Sequence, residues 1–157
     1  MTALRAALDA LPKVELHCHI EGTMRPQTVM ELAQANGVPL PTADPTELYS
    51  YDSLDSFLEI FWLVQSTLAT ASDWARVAYE AVVDSAAHGV VHQECFFTPA
   101  RHLAAGLSLD EILAGLDEGN TAAEAVYPSS ANDSAGAPLT GAGEYTYRFA
   151  PGQLPPV

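Results

Sequence analysis

Cationic side chains are scarce in this chain. Lys and Arg together number 6 in 157 residues, against 20 Asp and Glu, which leaves a formal net charge of −14. Nucleic-acid backbones and anionic membrane surfaces are gripped by clustered Lys and Arg, so that scarcity argues against both as partners. Cysteine is rarer still. Cys18 and Cys95 are too few for a disulfide framework and are expected as reduced thiols. No apolar run approaches the ~18 residues of a membrane-spanning helix. The segment from Met1 to Leu11 has one Arg and is interrupted by Asp9, so it does not read as a signal peptide. The expectation is an acidic, soluble, cytoplasmic protein.

Apolar residues make up 48% of the chain, enough for a core in one ordinary domain. Thr2 to Ala10 reads as a short helix, and Val14 to Ile20 as a strand. Glu21-Gly22-Thr23 reads as a turn. Pro26 opens a helix that Gly37 can end, with Val29, Leu32 and Ala33 as its buried stripe. After a Pro-containing connector, Ser56 to Glu59 has capping-box spacing and opens a helix to about Leu68. Ser72-Asp73 opens another, with Trp74, Val77, Ala78, Ala81 and Val82 at helical spacing and Gly89 beyond its end. Val90 to Phe97 follows as a strand closed by Thr98-Pro99. Ser108 to Glu111 caps a last helix to about Ala125. Strands alternating with helices predict an α/β fold, a parallel sheet or barrel. Residues 1–127 form one unit. Residues 128–157 are rich in Pro, Gly, Ser and Ala and are expected to be disordered or unrelated to that unit, although Tyr145, Tyr147 and Phe149 alternate as a short strand would.

The chemistry is concentrated in His17-Cys18-His19-Ile20-Glu21-Gly22. Residues two apart on a strand share a face. His17, His19 and Glu21 therefore project together, and Cys18 and Ile20 turn away. Two imidazoles at a strand's carboxyl end make a convergent pair for a divalent metal such as zinc. The bland alternative is a pair of polar residues at a solvated strand end.

The run from Leu11 through Pro26 resembles the first strand and loop of the adenosine deaminase family, the zinc-dependent purine deaminases. The resemblance continues through Phe57-Leu58-Glu59-Ile60-Phe61, Ala78-Tyr79-Glu80 and Gly89-Val90-Val91 to Phe97-Thr98-Pro99, covering roughly residues 11–126. It implies the N-terminal portion of a (β/α)8 barrel, one catalytic zinc, and hydrolytic deamination of a purine nucleoside or base. His17 and His19 match the first two zinc ligands. Glu21 matches an acidic position that contacts the ribose, Gly22 a place where backbone approaches the ligand, and Phe57 and Phe61 a helix that helps cover the purine. For the two Phe residues a core role competes.

The family's third zinc His, catalytic Glu, orienting His and last zinc-bound Asp have no matching motif here. His92, Glu94, His102 and Cys95 are the residues left to complete a site, and His88 reads as a helix-end histidine. The expectation is thus a truncated, inactive deaminase, as from a frameshift, that binds zinc weakly. An exposed partial-barrel edge would favour self-association. The alternatives are a non-catalytic ligand- or partner-binding fragment and a related barrel amidohydrolase with another substrate.

Overall fold

The computed structural model describes residues 3–126 and 144–148. Helix α1 (Ala3–Asp9) leads into strand β1 (Lys13–His19), which runs into a single 3-10 turn (Ile20–Thr23). Helices α2 (Pro26–Asn36), α3 (Leu54–Ser66) and α4 (Ala71–Ala87) return the chain to strand β2 (Val90–Phe96). A short helix α5 (Pro99–Ala104), a long helix α6 (Leu109–Val126) and a strand β3 (Glu144–Arg148) follow. The sheet order is β1-β2-β3. Strands β1 and β2 are parallel, and the three helices between them form the long crossover that parallel pairing requires. Strand β3 runs antiparallel to β2 and takes up Tyr145 and Tyr147. Phe149 and the rest of the Pro/Gly/Ser-rich tail, where disorder is expected, lie outside the described residues.

Local sequence explains most element ends. Pro26 occupies the first position of α2, and Gly37 takes the left-handed conformation (φ 69°) that lets its N–H reach the Ala33 carbonyl. Helix α6 opens with the expected box: the Glu111 carboxylate accepts from the Ser108 N–H at 2.8 Å, and Ser108 Oγ accepts from the Glu111 N–H at 3.2 Å. Two helix starts differ from expectation. Helix α3 begins three residues earlier than Ser56 to Glu59 suggests, because Ser53 is the cap and Ser56 fills the reciprocal place that Glu usually takes; each hydroxyl accepts the other's N–H at 3.1 Å. Helix α4 is capped by Thr70, and Asp73 turns back to accept the N–H groups of Ala69 and Thr70, both at 2.9 Å. Helix α5 was not legible: Pro99 begins a helix where only a strand end was expected. No helix among the described residues is long and apolar enough to cross a membrane.

Helix α4 is the centre of the core. Trp74, Val77, Ala78 and Ala81 are buried among Val29, Leu48, Val64, Phe97, Ile112 and Leu116. Its polar flank is tied to α2 by a network around Glu80, which accepts from Thr28 Oγ1 at 2.6 Å and from Arg76 Nε at 3.0 Å. Arg25 donates twice to the Asp84 carboxylate, at 2.9 and 2.6 Å. These bonds fix the chain leaving the 3-10 turn.

His102, expected as a loop residue, instead lies on α5 and is buried against Trp74, with ring centroids 4.8 Å apart. Burial pushes its pKa down, so the folded state refuses a proton that the unfolded chain takes up near about pH 6.5. Its contribution is therefore complete above about pH 6.5 and declines as the pH falls below it. Urea midpoints measured from about pH 7 to about pH 5.5 should fall less steeply in His102→Phe than in the parent. Equal slopes would remove His102 as the cause.

Candidate active site

Strands β1 and β2 pair at Val14–His92 and Glu15–Gln93, and again at Cys18–Cys95 and His19–Phe96. Between Glu15 and Cys18 the first strand advances three residues while the second, from Gln93 to Cys95, advances two. That is a β-bulge, and it sets Leu16 and His17 together opposite Glu94. Gln93 and Cys95 point toward Ala78, Ala81 and Val82 of α4, and Glu15 on the same side accepts from Gln93 Nε2 at 2.7 Å. His17 and His19 emerge on the other side. Their ring centroids are 5.3 Å apart at an interplanar angle of 80°, and the His17 ring rests 4.6 Å from that of Phe96. Both imidazoles are exposed.

The two histidines open onto a cleft of about 570 Å3 that Glu21, Gly22, Tyr49 and Phe61 also line. Its wall is a run of rings. Phe61 stands 6.1 Å from His19 and, nearly parallel at 14°, 5.9 Å from Phe57, which meets Tyr51 at 5.2 Å. Phe57 and Phe61 thus face the cleft rather than the core. Tyr49 donates to the Met24 carbonyl at 2.6 Å, and burial pushes its phenol up to about 12. A Cβ added at Gly22 would meet the Phe61 ring at 3.7 Å, an ordinary contact, so the cleft has room there.

Glu21 lies in the 3-10 turn beyond the strand and is fully buried. Its Oε1 accepts the Thr98 N–H at 2.6 Å, which ties the carboxyl end of β1 to the segment just after β2. Its Oε2 has no hydrogen-bond partner. Burial raises its carboxyl above the ordinary range, and the Thr98 N–H opposes that shift.

The remaining candidates do not join the histidine pair. His92 and Glu94 contact each other at 3.2 Å. His88 closes α4, its Nδ1 lying 2.7 Å from the Asp84 carbonyl. Cys95 is buried behind the sheet. Among the described residues, no group of three or more His, Cys, Asp or Glu side chains could hold a metal ion. The sequence pattern does not single out Tyr49, Tyr51 or Phe96. The two tyrosines sit in an aperiodic connector, and Phe96 looked like ordinary strand filling.

The adenosine deaminase family model matches residues 12–128. An adenine deaminase of Gibberella zeae is 43% identical over 118 residues, covering 69% of this chain and 33% of the relative. An adenosine deaminase of Clostridium botulinum is 35% identical over 129 residues, covering 78% of this chain and 39% of the relative. The crystal structure of an amidohydrolase from Burkholderia ambifaria, with bound Zn, superposes with a TM-score of 0.71 at 34% identity, over 80% of this chain and 35% of that one. The chain therefore spans little more than a third of the length of such relatives. Its α/β fold corresponds to one part of their (β/α)8 barrel, with β3 departing from the all-parallel pattern by its direction. The chain belongs to the adenosine deaminase family.

Proposed function

We propose that this chain carries part of a zinc-dependent site for hydrolytic deamination of a purine base or nucleoside. The observation that carries this reading is the His17–His19 pair, side by side at the mouth of a cleft walled by aromatic rings. Two imidazoles facing one space suit zinc as half of a ligand set. Zinc, when bound, supplies the Lewis acidity that makes water a nucleophile near neutral pH. His17 and His19 would hold the ion. Phe57 and Phe61 present flat apolar faces on which a purine can lie. Glu21 keeps one carboxyl oxygen unpartnered for a polar group of the ligand, and its other oxygen holds it rigid against Thr98. Gly22 leaves room beside Phe61 for the ligand to approach the backbone. Both adenine and adenosine deaminases are among the similar proteins, so the reading stays at the level of the 6-aminopurine class.

A catalytic zinc keeps three protein ligands and one open position. The described residues offer two, so these 157 residues alone should bind zinc weakly and release no ammonia from adenine or adenosine at an enzymatic rate. Titration with zinc chloride, followed through the imidazole proton resonances, should move His17 and His19 together, and His19→Ala should abolish the response of His17. Resonances that ignore zinc would sink the metal assignment, and rapid ammonia release by the same protein would sink the incomplete-site assignment.

A further inference from the structure

The only two cysteines of the chain lie side by side. Cys18 and Cys95 are register partners on neighbouring parallel strands, and Cys95 turns to the α4 side of the sheet. Neighbouring strands run about 4.8 Å apart, which falls within the roughly 4.4–6.8 Å between Cα atoms that a disulfide spans. Cys95 is buried, whereas Cys18 is half-exposed and also borders the cleft. The bulge at Leu16 and His17 immediately precedes Cys18, so the ladder is already interrupted beside the pair.

We propose that Cys18 and Cys95 form a reversible redox pair whose disulfide, closed by a peroxide oxidant, takes the Cys18 thiol away from the His19 carbonyl and so rearranges the His17–His19 face. Cys18 Sγ attacks one oxygen of hydrogen peroxide. The O–O bond breaks, the thiol proton leaves with the departing oxygen as water, and Cys18 becomes a sulfenic acid. Cys95 Sγ then attacks Cys18 Sγ. The S–S bond forms, the S–O bond breaks, and the hydroxyl leaves as a second water with the Cys95 proton. Two sulfurs are oxidised and both peroxide oxygens are reduced. The accessible thiol meets the oxidant and the buried one resolves it. In the reduced protein Cys18 Sγ lies 4.0 Å from the carbonyl oxygen of His19, so turning that sulfur onto Cys95 removes a contact to the backbone of His19.

The consequence for metal uptake rests on the zinc reading above, but the pair itself does not. The whole chain is treated with a small excess of hydrogen peroxide, and its peptides are mapped by mass before and after dithiothreitol. The expected product is a monomer lighter by two hydrogens, with peptides 18 and 95 linked, restored fully by dithiothreitol and absent from both Cys18→Ser and Cys95→Ala. In metal-free buffer the imidazole resonances of His17 and His19 should shift on oxidation and return on reduction. Cysteines oxidised singly to sulfinic acid, or linked between chains, would overturn the pair. A correct intrachain link with unmoved imidazoles would overturn the coupling. Neither readout uses zinc, so a failure here is separate from a failure of the metal site.

Discussion

Gly119→Ala should destabilise the fold by about 2 kcal/mol, in a helix interior where the same exchange ordinarily stabilises by about 1 kcal/mol. Helix α6 meets α4 through Gly115 and Gly119, one turn apart on the face that also buries Ile112, Leu116 and Ala123. A Cβ at Gly119 would collide with the Ala75 carbonyl oxygen and come within 2.8 Å of Ala78 Cβ. At Gly115 it would collide with the Ala71 carbonyl oxygen and come within 2.7 Å of Trp74 Cβ. The obstacles are backbone and Cβ atoms, which cannot swing aside as a long side chain can. The helices must separate, and dispersion contacts along α4 are lost with them. A shift of the urea midpoint measures the effect, and Gly115→Ala with Gly119→Ala should unfold at lower urea than either alone. A gain in stability for Gly119→Ala would show that α4 and α6 do not approach this closely.

The chain as it stands should self-associate, and lysines placed on β1 should disperse it. Strand β1 is an edge of the sheet, with no partner on its other side among the described residues. Val14 and Leu16 on it are 57% and 58% exposed, and Leu4, Leu8 and Leu11 leave further apolar surface beside it. An exposed apolar edge offers unpaired N–H and C=O groups as a template for another strand, and Lys is the residue that blunts such edges. Sedimentation velocity should find a concentration-dependent mixture for the parent chain. Val14→Lys combined with Leu16→Lys should shift that mixture to monomer, with helical circular dichroism unchanged. A parent chain that sediments as a single monomer at every concentration would remove β1 as a docking edge.

Residue pattern alone announced much of this architecture. Trp74, Val77, Ala78, Ala81 and Val82 repeat at helical spacing because one side of α4 must leave water, and all five are buried. Pro26, Gly37 and Gly89 marked element ends because each has a backbone preference that acts within a few residues. His17 and His19 were legible for the same reason, since a two-residue step returns to the same side of an extended chain. Helix α5 is not legible, because a helix of six residues that begins at its proline carries too little periodicity. Nor is the role of Gly115 and Gly119, although two glycines one turn apart in a helix signal a packing reason.

The sequence by itself determined the local grammar and the chemical types at hand: an acidic α/β chain with two imidazoles on one side of its first strand. Only the tertiary structure decided their surroundings. Contacts between residues far apart in the chain depend on how α3, α4 and α5 pack, and no short window of sequence carries that information. So it was the fold that brought Phe61 beside His19, seated the Thr98 N–H on Glu21 and set Cys18 against Cys95.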